Sequence, residues 1–394
     1  MISNKQLFLQ NNAQTSTSPN LLEIDAAEGI YLYDKQGKAY IDLVSGFAVS
    51  NIGHRHPKVL AAIKAQLDKY MHVTVYGEYV QTPMIAFAKK LVKVLPTDLN
   101  NVYFVNSGAE ATEGALKLAK KYTCRTEIIS CFHSYHGSTH GALSVMGSDE
   151  FKAGYGPLLP DVSFINFNEE ADLQMITEKT ACVIVETVQG EAGIRVPSTD
   201  YMQKLRARCT AVGALLILDE IQAAFGRTGK LFAFENFGIQ PDILLLAKAL
   251  GGGMPMGAFI AKKEVMSALK QNPILGHITT FGGHPVCCSA GLASLEVLLE
   301  ENLVEQANEK GKLFTSLLVH PLIREVRGIG LMMSMQLDSF AQVEKVSELC
   351  RERGVVIDWF LHCETAMRIA PPLTIKEEEI RKTCAVILDA LDLL

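Results

Sequence analysis

Between residues 101 and 261 the chain alternates short, almost purely apolar runs with longer helical patterns, and few architectures accept that alternation. The runs are NVYFVN (101–106), EIISC (127–131), VSFINF (162–167), ACVIVE (181–186), ALLILDE (214–220), DILLLA (242–247) and GAFIA (257–261). They do not alternate apolar with polar residues, so neither face of such strands is meant for water. Apolar strands separated by helices describe an α/β fold, with a mainly parallel seven-stranded sheet covered on both faces. Ligands in such sheets sit beyond the carboxyl ends of the strands. Those ends are where functional residues are sought.

The flanking segments read differently. In GIYLYDKQGKAYIDLVSG (29–46), two alternating runs surround Asp34-Lys35-Gln36-Gly37, a β-hairpin whose glycine supplies the positive φ of the turn. HPKVLAAIKAQLDKY and TPMIAFAKKLVKVL, between His56 and Leu95, carry apolar residues at helical spacing. From about residue 290 follow a long helical pattern, SAGLASLEVLLEENLVEQANEKGKLFTSLL, strands in VRGIGLMMSMQL and VVIDWF, and a last helix in KEEEIRKTCAVILDALDLL. The expected division is an N-terminal segment (1–50) packing with the small domain, a large domain (51–290) and a smaller α+β domain (291–394). Residues 1 to about 20 are polar and predict no element.

Composition excludes several classes. A hydrophobic fraction of 48% is too high for a disordered chain. The net charge of −6 argues against general binding to nucleic acid or anionic membranes. No run of about 18 apolar residues exists to span a bilayer. The start, MISNKQLFLQNN, lacks the apolar centre of a secretion signal. Nine cysteines, without a C-x-x-C pair, read as reduced thiols in a cytoplasmic protein rather than a metal ligand set.

Three motifs carry chemistry. In NVYFVNSGAEATEGALKLAKK a strand ends at Asn106, and Ser107-Gly108-Ala109 opens a helix. Ser107 and Glu110 have capping-box spacing, and the small residues leave N–H groups at a positive helix end. This is a phosphate seat or a plain N-cap. In ALLILDEIQAAFGRTG, Asp219 and Glu220 close an apolar strand. An ATPase strand reads alike, but the chain has no G-x-x-x-x-G-K-[ST] loop. In PDILLLAKALGGGMPMGAF, Lys248 follows an apolar strand. Apolar surroundings disfavour its ammonium form and make it a nucleophile toward carbonyls; a snorkelling surface lysine is the alternative.

In this order the three suit one aldehyde-bearing phosphate cofactor: helix-end donors for phosphate, a carboxylate for a ring nitrogen and a lysine for the aldehyde. Pyridoxal 5′-phosphate needs those contacts. From about Gly29 to Pro372 the chain resembles the class III, fold type I pyridoxal-phosphate aminotransferases, the acetylornithine, ornithine and 4-aminobutyrate aminotransferase group. LDEIQAAFGRTGKLFAFE together with PDILLLAKALGGGMPMGA carries the resemblance. It implies that Lys248 is the Schiff-base lysine and proton shuttle, and that Asp219 keeps the pyridinium protonated. It further implies that Ile221 and Tyr135 pack on the ring faces and that Gln222 lies near the ring hydroxyl. Glu186 joins the cofactor-binding set, and Ser107, Gly108 and Ala109 hold the phosphate. Thr280 reaches the phosphate of a partner subunit's cofactor, which implies a homodimer with shared active sites. Arg368, in MRIAPPL, matches the carboxylate-binding arginine, and Glu191 the glutamate that neutralises it while an amine donor is bound. Read alone, Glu191 is a solvated turn residue.

Two departures bear on the donor. Acetylornithine and ornithine enzymes follow His-Gly with Arg, where this chain has Ser138; ornithine enzymes carry Tyr where it has Phe47. Both changes remove partners for an α-carboxylate, which disfavours ornithine itself. His-Gly-Ser-Thr resembles the amine:pyruvate branch, yet Glu191 is retained. The reading is a dimeric transaminase. It moves an amino group from an ω-amino acid or amine donor, acetylornithine-like, to a 2-oxo acid, 2-oxoglutarate, in two half-reactions. An amine:pyruvate transaminase and a 2,1-aminomutase are the alternatives on this fold.

Overall fold

The computed structural model describes residues 2–394. Strands β1 (Ile24–Glu28), β2 (Tyr31–Asp34) and β3 (Ala39–Asp42) form an antiparallel meander near the N-terminus. The large sheet holds β4 (Asn101–Val105), β5 (Glu127–Cys131), β6 (Val162–Ile165), β7 (Thr180–Glu186), β8 (Leu215–Asp219), β9 (Ile243–Ala247) and β10 (Gly257–Ala261). The C-terminal region adds β11 (Glu325–Ile329), β12 (Met332–Gln336), β13 (Val355–Val356), β14 (Trp359–Phe360) and β15 (Cys363–Ile369).

The large sheet has the order β4-β10-β9-β8-β7-β5-β6. Its strands coincide with the apolar runs read from the sequence, and β10 alone runs antiparallel to its neighbours β4 and β9. Every residue of β7, β8, β9 and β10 is buried, whereas the edge strands β4 and β6 are partly open. Alternate residues serve opposite faces. Leu216, Leu218, Leu244 and Leu246 join the larger core. Leu215, Ile217, Ile243 and Leu245 join the smaller core under the helix Gly108–Thr123. Both faces are covered, so these strands are apolar except at their ends. Truncating one of these leucines to alanine costs about 2–5 kcal/mol.

The chain ends meet. Strand β3 pairs in parallel with β13, so the N-terminal meander completes a sheet with the C-terminal region. Strands β11, β12, β15 and β14 form the remaining sheet. Two sequence expectations change. The polar start holds a helix, Asn4–Asn11, made by a capping box between Ser3 and Gln6, although it buries no residue. The long helical pattern after 290 is two helices, Pro285–Glu300 and Leu303–Leu317, broken where Asn302 adopts a left-handed φ of 52°. The first of them runs through residue 290 and packs against the helices Pro57–Leu67 and Thr82–Val94.

One buried cation ties these parts together. Arg227 is 0% exposed. Its guanidinium donates to the carbonyls of Leu331 (3.0 Å) and Pro371 (2.6 Å), to Ser45 Oγ (3.4 Å) and to Asn51 Oδ1 (2.6 Å). N-terminal, central and C-terminal segments therefore share one set of charge-assisted hydrogen bonds.

Candidate active site

The carboxyl ends of β4, β5, β7, β8 and β9 surround a cavity of about 600 Å³, within the usual size of a cofactor site. Ser107 caps the helix after β4 by accepting from Glu110 N–H at 3.1 Å. The Gly108 and Ala109 N–H groups open that helix and make no hydrogen bond among the described residues. They present a positive helix end to the cavity. The local residues are small because they have to be. A Cβ at Gly108 would lie 2.8 Å from Ile221 Cδ1, and one at Gly137 would lie 2.7 Å from Ala109 Cβ.

Asp219, the last residue of β8, is 5% exposed. Its Oδ2 lies 2.7 Å from His136 Nδ1, and its Oδ1 accepts from Ile221 N–H at 3.0 Å. Glu186, at the end of β7, accepts from the N–H groups of Tyr135 (3.0 Å) and Gly190 (2.8 Å). Burial raises its carboxyl to about 7; His136 opposes that rise and Asp219 adds to it. Tyr135 and Ile221 both line the cavity, and the Tyr135 hydroxyl lies 3.3 Å from Ser138 Oγ. Lys248 directly follows β9 with a left-handed φ of 51°, a strained backbone for a residue with a Cβ. Its side chain makes no hydrogen bond or ion pair among the described residues. Burial lowers its pKa; Glu191 works against the lowering and Arg368 with it.

Glu191 lines both this cavity and a second, outer one of about 840 Å³. It is no solvated turn residue: Arg368 Nη2 reaches its two oxygens at 3.1 and 2.9 Å, and Gln222 Nε2 donates to Oε1 at 3.1 Å. Burial alone would raise the Glu191 carboxyl, but Arg368 outweighs burial and holds it down at about 2. Arg368 lies in β15, 1% exposed, with ring centroids of Phe47 and Phe360 at 5.0 and 4.4 Å. Its pKa is raised: burial, the largest influence, would lower it, and the carboxylates of Glu191 and Asp358 prevail.

Residues 12–391 match the family model of the class-III aminotransferases. The chain belongs to the class-III aminotransferases. It is 41% identical over 377 residues to the acetylornithine aminotransferase of Methanocaldococcus jannaschii, covering 93% of this chain and 91% of that one. It is 36% identical to the acetylornithine aminotransferase of Bacillus subtilis, covering 94% and 95%. An ornithine aminotransferase structure from Toxoplasma gondii superposes with a TM-score of 0.92 at 29% identity, covering 98% and 94%. A transaminase structure from a marine Virgibacillus gives 0.92 at 28% identity, covering 99% and 98%. The enzyme depends on pyridoxal 5′-phosphate and acts on a small-molecule amino donor and a 2-oxo acid.

The cavity of this aminotransferase fits that cofactor. Unpaired helix-end N–H groups suit its phosphate, a buried carboxylate suits its ring nitrogen, and an unpartnered buried amine suits its aldehyde. Of the residues singled out in the sequence, Ser107, Gly108, Ala109, Tyr135, Ser138, Glu186, Glu191, Asp219, Ile221, Gln222 and Lys248 line the one cavity. Phe47 and Arg368 instead line the outer cavity, with Arg368 reaching the first through Glu191. Thr280 is exposed and lines neither. Neighbouring Thr279 accepts from Asn106 Nδ2 at 3.0 Å, next to the helix end. Gln222 engages Glu191 and Arg368 with its amide. Glu220 faces inward, accepting from Thr187, Ala233 and Phe234, as a packing carboxylate.

His136 and Asp358 escaped sequence reasoning. His136 stands beside Tyr135, but its partner Asp219 lies 83 positions away. Asp358 sits in a run read only as a strand, and the chain breaks that run into β13 and β14 around it. A lone acid inside VVIDWF was the available signal.

Proposed function

We propose that this enzyme carries an amino group from an ω-amino acid or amine donor to 2-oxoglutarate, in two half-reactions within one cavity. The observation that carries the reading is the Arg368–Glu191 pair at the cavity wall, 2.9 Å apart. A guanidinium that can exchange an internal carboxylate for a substrate carboxylate lets one site accept a carboxylate-free amine end and then a dicarboxylic oxo acid.

Bound pyridoxal phosphate supplies the aldehyde that takes up the amino group and the electron-poor ring that stabilises charge at the substrate carbon. Lys248 Nζ, with its ammonium disfavoured by burial, would hold the cofactor at its aldehyde end and would move the proton at the amine-bearing carbon. Asp219, itself aimed by His136, would keep the ring nitrogen protonated. Gly108 and Ala109, beside Ser107, would donate to the phosphate. Tyr135 and Ile221 would hold the ring, with Glu186 fixing the Tyr135 backbone. Gln222, whose amide engages Glu191 and Arg368, would serve the ring hydroxyl. Thr280, outside its own cavity, serves the partner's phosphate in a homodimer. The residues 1–50, 51–290 and 291–394 act as N-terminal segment, cofactor domain and small domain. Nine free thiols suit a reducing, cytoplasmic setting.

Lys248 is the one lysine or arginine among the described residues lining the inner cavity. With Ser138 beside Tyr135, an α-carboxylate on the donor finds no further cation but Arg368, which Glu191 occupies, and this supports donors whose reactive amine is remote from a free carboxylate. The same observation favours an amine:pyruvate transaminase as second reading. The test is a screen of acetylornithine, 4-aminobutyrate, β-alanine and simple diamines against both 2-oxoglutarate and pyruvate. Arg368→Ala should raise the KM for 2-oxoglutarate by about a hundredfold. An unchanged KM, or turnover with pyruvate alone, overturns the acceptor assignment.

A further inference from the structure

Arg368 is held by two carboxylates, and they contact different nitrogens of the guanidinium. Glu191, which lines the cofactor cavity, accepts from Nη2. Asp358 accepts from Nε at 3.1 Å, and its backbone carbonyl accepts from the Arg368 backbone N–H at 2.8 Å. The two acids also differ in reach, Glu191 having one more methylene. Glu191 projects from the loop after β7; its backbone carbonyl accepts from His362 N–H at 2.9 Å, and its carboxylate is held by side chains and by Leu361 N–H at 3.2 Å. Asp358 sits between β13 and β14, locked to β15 by that backbone bond. Its side chain is 29% exposed toward the outer cavity, against 2% for Arg368. A carboxylate that displaces Glu191 takes over Nη2 and leaves the Asp358 contact at Nε as it is.

We propose that Asp358 is a permanent counter-ion of Arg368, a positioning residue that keeps the guanidinium aimed after Glu191 leaves and sets how tightly the 2-oxo acid's carboxylate is held. The proposal rests on the reading that Arg368 receives that carboxylate. It has two separable parts. The hydrogen bond from Nε fixes the plane of the fork, which a planar, bidentate donor needs for recognition. The charge discounts Arg368, so that the bound carboxylate can leave again. Asp358 repels Glu191 and the incoming carboxylate alike, so most of its electrostatic effect cancels in the exchange. What remains is the repulsion felt by a dianion arriving from water.

The experiment uses the cofactor-loaded enzyme and glutarate, a dicarboxylate with no oxo group, titrated by calorimetry beside steady-state assays with 2-oxoglutarate. Asp358→Asn keeps an oxygen for Nε–H and removes the charge. The glutarate Kd and the 2-oxoglutarate KM should then fall about three- to tenfold, with the effect on KM rather than kcat. Asp358→Ala removes the acceptor as well, and both constants should rise to at least about tenfold above those of Asp358→Asn. Equal constants for the two variants, or an Asn variant no tighter than wild type, overturn the proposal. Arg368→Ala separates the two layers. If it leaves glutarate binding and the 2-oxoglutarate KM unchanged, the acceptor reading falls; if it abolishes binding while the Asp358 variants behave as wild type, the positioning role alone falls.

Discussion

Replacing Glu191 with Gln tests the exchange at Arg368 most directly. The carboxyl of Glu191 is held at about 2 instead of its ordinary 4.5. At about 1.36 kcal/mol per pK unit, that is roughly 3 kcal/mol of preference for the charged form, given chiefly by Arg368. The same preference is what an incoming carboxylate must overcome to take over Nη2. Removing the charge while keeping a side chain of equal size should therefore strengthen dicarboxylate binding by up to about a hundredfold. One effect reduces the gain: the amide of the Glu191→Gln variant still offers one oxygen to Arg368. A tightening of about ten- to a hundredfold is the expected result, read as the glutarate Kd by calorimetry and as the 2-oxoglutarate KM. Amine donors that bring no carboxylate should lose rate in their half-reaction, because Asp358 is then the one carboxylate left to offset Arg368 near Lys248. If Glu191→Gln binds glutarate as weakly as wild type, Glu191 is not the group that a substrate displaces, and the reasoning fails.

Gly137→Ala should lower cofactor affinity about tenfold or more, measured by the absorbance of bound cofactor at limiting concentration. The residue has a φ of 124°, and its added Cβ would press on Ala109 at the phosphate seat. Glu220→Gln should destabilise by about 2–3 kcal/mol in denaturant unfolding, since one of Ala233 N–H and Phe234 N–H must then face an amide NH2. A pH series follows from Glu186. The native protein keeps its proton up to about pH 7, whereas the unfolded chain releases it near 4.5, so this group's contribution to stability shrinks as pH rises through that window. The Tm advantage of wild type over Glu186→Gln should accordingly decline between about pH 4.5 and 7; a constant difference contradicts it. Glu191 behaves in the opposite sense, stabilising above about 4.5 and losing its contribution as pH falls toward 2, a loss visible in acid unfolding and absent from Glu191→Gln.

The sheet was readable in advance because burial on both faces leaves a one-dimensional trace: β7 to β10 contain almost nothing polar until their ends. For the same reason Asp219 and Lys248 stood out, each a polar residue closing or directly following an apolar run. Glu191 was ambiguous alone and acquires meaning only from Arg368, 177 positions later. His136 and Asp358 could not be read, since each acts through a partner that a different strand brings up. Arg227 belongs to this class too. FGRTG was visible as part of a family motif, but the role of its arginine depends on carbonyls at Leu331 and Pro371 that no local pattern announces. The break at Asn302 was missed because helical periodicity continues through it, while the single left-handed residue that interrupts it carries no strong marker.

Strand β4 has one neighbour, β10, and 152 residues separate Val105 from its partner Gly257 in that ladder. The order in which a ribosome delivers the chain therefore matters. Ser107 and its helix emerge early and can lie on β7 and β9, but β4 has no strand to pair with until β10 is made. By then β8 and β9, with Asp219 and Lys248, are already outside. The phosphate end and the aldehyde end of the cofactor site are thus completed by one late event rather than by two successive ones. Pairing of β4 with β10 is the step that fixes the phosphate seat in the sheet, after the strands bearing Asp219 and Lys248 are made.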